Sequence, residues 1–462
     1  MNNYAYTIAA ISTPPGKGGV AIIRISGTEA LAIADKVFAP ANKKSFAEAT
    51  PRMQIRGNIV SAGEVIDDGM ATYFKAPFSY TGEDTVEIAC HGGVLVTRSV
   101  LEAILAAGAS LAGAGEFTRR ALINGKLSLT SAEAIGNLLE AESAEQVKLA
   151  SARSRALLEG EIGEIRGDLT SLLSSIYARI DYPDEDLGDF TDEQTLEKLR
   201  AIKCEADALL STYRTGKAVN EGIKTVICGK PNVGKSSIYN LLLRKDAAIV
   251  TDIEGTTRDV LSEKLPLGRV MLNLSDTAGV RSKTSDPIEK IGIKRSIKRI
   301  EESELIIAVF DLSRELDEED LALIEEIQKS NAAKIARLNK ADLERRMNAD
   351  IASSFEAVIE LSTTTGVEKA RNEITDIINK LFTDERITIG DTAIISSARQ
   401  SAALTRAISA IDSAILAFES GMCQDAASSD IEIALGAIAE LDGRAVSEEV
   451  VADIFAKFCV GK

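Results

Sequence analysis

The sequence predicts a multidomain α/β protein. An N-terminal α+β domain is expected over residues 1–118, an all-α domain in two pieces at 119–217 and 381–462, and an α/β domain at 218–380 inserted between those pieces. Three observations carry this. The 462 residues favour two to four domains, at roughly 100–200 residues per domain. The texture passes from short β-type runs to long helical periodicity, then to alternating strands and helices, then back to helix. In the alternating region, Gly229-Lys-Pro-Asn-Val-Gly234-Lys235-Ser236 stands between an apolar strand and an apolar helix.

Each part follows from its residues. Runs such as VAIIRIS (residues 20–26) and TVEIA (residues 85–89), separated by turn residues, read as strands of a glycine-rich α+β domain. From 119 the apolar residues recur at helical spacing with no proline before Pro183, and the acidic stretch 181–193 interrupts the helices. IKTVICG, VMLNLSD, ELIIAVFD and AAKIARLN then alternate with helices, the pattern of a parallel sheet. Doubly wound domains have chain ends near each other, so one can be inserted into another domain.

Composition narrows the classes. A formal net charge of -17 argues against binding nucleic acid or membrane through bulk charge. Residues 1–120 hold 11 basic and 11 acidic side chains and 218–380 carry -3, so the remaining -14 falls on the two helical pieces. Any RNA is therefore expected on neutral or locally basic surface such as Arg119-Arg120 with Lys126. Five dispersed cysteines without a CxxC pair fit reduced thiols, and a single histidine disfavours a His-based metal site. No run approaches the roughly 18 apolar residues of a membrane helix, and the start lacks a leader pattern. The expectation is a cytoplasmic protein with no membrane or DNA partner.

The phosphate-binding signal is GxxxxGK[ST] in strand-loop-helix context. Its glycines let backbone N–H groups and the helix N-terminus face phosphate, with Lys235 as a cation and Ser236 as a magnesium ligand. Asp276-Thr277-Ala278-Gly279 follows a strand and is expected near the metal and the terminal phosphate. Asn339-Lys340-Ala341-Asp342 ends another strand, where Asp342 can accept both N–H donors of guanine, so GTP is expected rather than ATP. Gly255-Thr256-Thr257-Arg258-Asp259 supplies the switch, with Thr257 the second magnesium ligand. In this order the motifs describe a Ras-like P-loop G domain. Asn232, Val233 and Ser237 complete the expected nucleotide contacts on the loop.

With TPPGKGGVAIIRISG (13–27), SYTGEDTVEIACHGG (79–93), GEFTRRALINGKLSL (115–129) and the terminal FCVGK (458–462), the chain resembles the MnmE (TrmE) family of tRNA-modifying GTPases along its whole length. The resemblance implies an N-terminal domain that binds a formyl- or methylene-tetrahydrofolate and forms a homodimer. It also implies a partner, MnmG, which carries FAD, and installation of an aminomethyl or carboxymethylaminomethyl group on the wobble uridine of tRNA. The implied potassium site falls on Asn232 with Thr251, Ile253 and Thr256, and Asp252 and Glu254 lie in the same nucleotide-contacting loop. Glu289 matches the acid that orients the attacking water, or is an ordinary exposed acid at a helix start. Arg24, Glu87, Lys126 and Lys462 are the implied folate residues. Without the resemblance, Arg24 and Glu87 read as solvated positions on alternating strands.

Cys459 is either a nucleophile or acid near the folate, or a packed thiol in FAKFCV. His91, before Gly92-Gly93, is either a structural histidine or a bridge to ligand. Three positions depart from the family pattern: Ser362-Thr363 where Ser-Ala is usual, Ala114 for proline, and Ser131 for glutamine. The competing class is a ribosome-assembly or RNA-binding switch resembling Era or Der, which usually carries a basic appended module. The G domain of an iron transporter is disfavoured by the lack of a membrane span.

Overall fold

The computed structural model describes residues 6–154, 156–182, 191–243, 262–275, 298–347, 351–360, 367–421, 424–441, 443, 446–456, 458 and 460–461. The chain divides into two compact units, Met1–Leu139 with Ala439–Lys462, and Glu140–Ile438.

The first unit is built on a seven-stranded sheet of order β3-β4-β5-β6-β2-β1-β7. Its strands are β1 (Ile8–Ile11), β2 (Val20–Ser26), β3 (Phe38–Pro40), β4 (Gln54–Ser61), β5 (Glu64–Phe74), β6 (Thr85–His91) and β7 (Ser110–Leu111). All pairings are antiparallel except β1 with β7. Alternation along β2 and β6 sends Ala21, Ile23, Ile25, Val86, Ile88 and Cys90 to one face. There they pack with Ile33, Ala34 and Val37 of α1 (Ala30–Val37) and Val100, Ala103 and Ile104 of α2 (Val94–Ala106). The opposite face carries Arg24 and Glu87. It is partly covered by a small cluster in which Ile8, Ala10 and Ala112 meet Phe117 of α3 (Glu116–Ile123).

The C-terminal residues of this unit dock beside the carboxyl end of β1. Val460 bridges Ala114, and Ser12 Oγ donates to Gly461 O at 3.0 Å. Gly461 has φ +101°, and a Cβ there would collide with Ile11 O, so only glycine fits. Phe455 of α14 (Glu448–Ala456) and Phe458 close over Gly115, and Phe458 also covers Gly136 of α4 (Leu129–Glu140).

The second unit holds a six-stranded sheet of order β13-β12-β11-β8-β10-β9. Its members are β8 (Ile223–Cys228), β9 (Ser262–Leu267), β10 (Val270–Ser275), β11 (Leu305–Asp311), β12 (Ala333–Asn339) and β13 (Ala357–Glu360). Every pairing is parallel except β9 with β10. Both faces of β11 are buried, as befits a central parallel strand. Helices α9 (Lys235–Leu243) and α11 (Val367–Phe382) cover one face, and α10 (Glu318–Lys329) covers the other.

Helices flank this sheet in sequence: α5 (Ala144–Ser154), α6 (Leu157–Asp181), α7 (Asp192–Ser211) and α8 (Tyr213–Asn220) before it, α12 (Ala398–Glu419) and α13 (Gln424–Leu441) after it. Helix α12 lies along α7, joined by Lys203–Asp412 and Arg200–Glu419 ion pairs, so helices from either side of the inserted sheet pack together. Among the described residues α12 alone is long and apolar enough to cross a membrane. Its apolar stripe, Leu404, Ala407, Ile411 and Ala414, is buried in protein, which accounts for that composition.

Candidate functional site

In the second unit, at the carboxyl ends of the parallel strands where α/β sheets bind ligands, Gly229 follows β8 against Val309 of β11, and β11 and β12 set Asp311 beside Asn339. Gly229 takes φ +142°, Asn232 +63° and Gly234 +106°. A Cβ on Gly229 would strike Val309 O, and one on Gly234 would occupy the place of Asn339 Nδ2. Both glycines are thus required by close approach as well as by dihedral. The Asn339 amide donates to Val233 O at 2.8 Å, tying the end of β12 to the loop. Its Oδ1 is buried with no donor, a position a ligand N–H can fill.

Lys235 Nζ donates to Gly229 O and Lys230 O, both at 2.7 Å, so the ammonium is held over the loop at the N-terminus of α9. A phosphate oxygen offers the ammonium a stronger, charge-assisted partner than these carbonyls. Ser236 and Ser237 follow on the first turn of the helix. On the outer side of the loop, Lys230 pairs with Asp317 and Glu319 at 2.6 Å. Lys230 holds the Asp317 carboxyl down to about 2. Asp317 in turn caps α10, accepting from Glu319 N and Asp320 N, so loop and helix start are fixed together.

Beyond Asn339 the backbone turns at Lys340, φ +62°. Lys340 Nζ lies 2.5 Å from Asp311 Oδ2. Burial pushes the Asp311 carboxyl up, but hydrogen bonds from Lys340 and Ser313 outweigh it and leave the group below the usual carboxylate value. Ala341 and Asp342 follow on the exposed turn. Asn339 and the P-loop are thus brought into contact, and Lys340 and Asp342 follow on the turn after Asn339.

In the first unit a transverse row crosses the open sheet face: Ala10, Arg24, Glu87 and Thr72 are successive cross-strand partners. Arg24 Nε and Nη2 both lie 2.8 Å from Glu87 Oε1, and the guanidinium sits 5.3 Å from the Tyr80 ring centroid and 5.5 Å from that of Phe117. With side chains 18% and 25% exposed, the pair is not the solvated couple that alternation implies. Neither Arg24 contact uses Glu87 Oε2, so one carboxylate oxygen remains for the N–H donors of a heterocycle. Lys126 is exposed beside Gly82, its stem 3.2 Å from where a Cβ would stand.

Two arrangements escaped sequence reasoning. Arg120, expected as basic surface, is 0% exposed: its guanidinium donates to Tyr6 O, to both oxygens of Glu83 and to Glu116 Oε1, at 3.0 to 3.2 Å. The basic patch expected from Arg119, Arg120 and Lys126 therefore loses its middle member. His91 hydrogen-bonds Asp67 Oδ1 through Nδ1 at 2.7 Å and donates its backbone N–H to Oδ2 at 2.8 Å. Asp67, Asp68 and His91 bring ligand atoms within 4.8 Å of each other, but those hydrogen bonds already account for the arrangement. Only the Glu116–Arg120 spacing of four was visible beforehand, and it does not reveal Glu83.

Thr251, Asp252, Ile253, Glu254, Gly255, Thr256, Thr257, Asp276, Thr277, Ala278, Gly279, Glu289, Cys459 and Lys462, with the departures Ser362 and Thr363, lie outside the described residues. Cys90, Cys204 and Cys228 are free thiols, and burial pushes Cys228 up to about 12.

Comparison with known proteins covers almost the whole chain. A model described as "GTP-binding protein TrmE N-terminus" matches residues 7–126, and one described as "MnmE helical domain" matches 129–459. The tRNA modification GTPase MnmE of Clostridioides difficile is 37% identical over 461 residues, covering 99% of both chains. Its namesake from Thermotoga maritima is 38% identical over 462 residues, covering 99% of this chain and 100% of its own. Among solved structures, the G domain of the Thermotoga maritima FeoB iron transporter is 25% identical with a TM-score of 0.24, covering 34% of this chain and 98% of its own, too small a likeness to bear on function. Alignment from end to end with relatives of one kind, over domains of three different textures, is not produced by a shared P-loop alone, and the chain belongs to the MnmE family of tRNA modification GTPases.

Proposed function

We propose that this chain hydrolyses GTP at the P-loop and uses the cycle to modify the wobble uridine of tRNA. In this reading it acts as a cytoplasmic homodimer with the FAD protein MnmG and adds an aminomethyl or carboxymethylaminomethyl group at C5. The work divides among 1–118 for folate and dimerisation, 218–380 for GTP, and 119–217 with 381–462 as the helical frame. The observation that supports it best is the lock of Asn339 on Val233 above Gly234, which joins a guanine-reading strand end to a phosphate loop.

When bound, magnesium and potassium supply positive charge to the phosphate oxygens, and tetrahydrofolate supplies the one-carbon unit. Ser236 and Thr257 would hold the magnesium, and Asn232, Thr251, Ile253 and Thr256 the potassium. Lys235 turns from its loop carbonyls to the phosphates, and the α9 N-terminus adds backbone donors. Asp342 accepts the guanine N–H donors, and Glu289 orients the attacking water. Arg24, held by Glu87 and between two rings, presents Glu87 Oε2 to the pterin, with Lys126 and Lys462 for its acidic tail.

The test compares GTP turnover in potassium and in sodium, for the wild type and Asn232→Ala, alongside mass spectrometry of wobble nucleosides from a deletion strain. Potassium stimulation lost in Asn232→Ala, with modification lost on deletion, is the expected result. Equal rates in both salts refute the cation-assisted mechanism. Unchanged uridine modification in the deletion strain would instead favour an RNA-binding switch.

A further inference from the structure

The β9–β10 hairpin joins, in sequence, the two segments expected to sense the terminal phosphate: Ser262 follows Thr257 by five residues, and Ser275 immediately precedes Asp276. Its far end is the turn Gly268-Arg269, which is locked onto α11 and the chain beyond it. Gly268 has φ +59°, and a Cβ there would lie 2.6 Å from Thr375 Cγ2 and 2.8 Å from Asn379 Nδ2. Arg269 N donates to Asn379 Oδ1 at 3.2 Å. The Arg269 guanidinium then spans two carbonyls of one turn, Asp384 O at 3.4 Å and Ile387 O at 2.5 Å, a turn closed by Ile387 N on Asp384 O.

From that turn the contacts run on into the helices. Ile387, Ile389 and Ile394 form one buried cluster with Leu149 of α5 and Val219 of α8. Asp384 N donates to Thr215 Oγ1, and Ile395 N donates to Thr212 Oγ1 just before α12 begins. A cleft of about 530 Å³ borders the turn, lined by Arg214, Thr215, Lys380, Asp384 and Arg386. The turn is therefore gripped by the hairpin on one side and by α5 and α8 on another, so a displacement of Arg269 is passed on to the helices through packed and hydrogen-bonded contacts.

We propose that Arg269 is the positioning residue that passes nucleotide state from the hairpin to residues 384–395, and so to α5, α8 and α12. A β-hairpin is stiff along its strands, and a planar guanidinium fixed to two carbonyls transmits displacement in a way a single lysine donor does not. The proposal rests on the reading that GTP turnover drives tRNA modification, and it separates the two. Arg269 touches neither phosphate nor base, so its loss should leave hydrolysis intact and uncouple modification.

The test uses the full-length protein as wild type, Arg269→Ala and Arg269→Lys. Hydrogen exchange is followed in peptides covering 384–395, with GDP and with a non-hydrolysable GTP analogue. The wild type should exchange differently in the two states. Arg269→Ala should lose that difference and slow wobble-uridine modification about tenfold or more, the scale of a typical coupling energy, at unchanged GTPase kcat and KM. Arg269→Lys should fall between. A purely structural role would lower both activities together, and that result overturns the proposal. So does Arg269→Ala with wild-type exchange difference and modification. If Arg269→Ala does not fold, Arg269→Lys decides by the same pair of readouts. A wild-type protein that fails to hydrolyse GTP sinks the functional reading and not the linkage.

Discussion

Replacing Arg337 by methionine should stabilise this protein. Arg337 sits in the middle of β12, paired across the strands with Val309 and Ile359, and is 0% exposed. None of its three guanidinium nitrogens has a hydrogen-bond partner. Leaving buried donors unmade costs on the order of 1–3 kcal/mol, more when the group is charged. Burial pushes the guanidinium well below the ordinary arginine value, to about 10, against the opposing pull of Glu373, and at 1.36 kcal/mol per tenfold in proton affinity this is about 3 kcal/mol. Both routes give the same order of magnitude. Methionine is of similar length, apolar and flexible enough to fill an irregular space.

The expected gain for Arg337→Met is about 1–4 kcal/mol, the range seen when buried ionic groups give way to packed apolar ones. Far-UV circular dichroism during urea unfolding is the assay, because the chain has no tryptophan. The pH dependence follows from the depressed folded pKa. The folded state binds fewer protons than the unfolded state from about pH 10 up to the ordinary arginine value, so the penalty is complete below 10 and is relieved as pH rises above it. The advantage of Arg337→Met should thus be constant from pH 7 to 9 and shrink above 10. A loss of several kcal/mol in the variant would show that the guanidinium is paired, and would refute the reasoning.

Three further outcomes are expected. Gly234→Ala, with its Cβ on Asn339 Nδ2 at φ +106°, should weaken GTP binding about a hundredfold or more, since strain of about 1–3 kcal/mol and a broken loop bond add, while circular dichroism is unchanged; fluorescent-nucleotide titration measures it. His91 is the sole histidine, so one imidazole resonance reports it by NMR: hydrogen bonding to Asp67 should raise its pKa above 6.5, and Asp67→Asn should return it. That contact stabilises the fold fully below the unfolded value and is lost as pH rises through the folded one; a titration at 6.5 in both proteins would contradict the geometry. Glu87→Gln should abolish tetrahydrofolate binding by calorimetry with little loss of GTPase rate, and retained binding would remove Glu87 from the folate site.

How far the sequence carried this reading depends on the range of the interaction. The strand runs around 223–228, 270–275, 305–311 and 333–339 were legible because strands of a covered parallel sheet are rich in apolar residues, most completely in 305–311, which is buried on both faces. The P-loop was legible because its glycines answer to local dihedrals and close approach. Arg24 and Glu87 looked like solvated residues because alternation gives a face, and only the register of β2 on β6 puts the two opposite each other.

Arg120 shows the limit most clearly. Its neighbour Arg119 and the later Lys126 made it look like part of a basic surface, yet Glu83, 37 residues earlier, and the Tyr6 carbonyl, 114 residues earlier, enclose it. A buried guanidinium between two carboxylates cannot be told from an exposed one by spacing, since its i,i+4 partner Glu116 is the same in both cases. Arg269 belongs to the same class: a hairpin tip reads as a solvent-facing turn, and only the fold brings to it the carbonyls of Asp384 and Ile387, more than a hundred residues away. Motifs with local causes therefore locate the chemistry in this family. The residues that couple one part of the chain to another have distant partners, and they become visible only once strand register and helix packing are known.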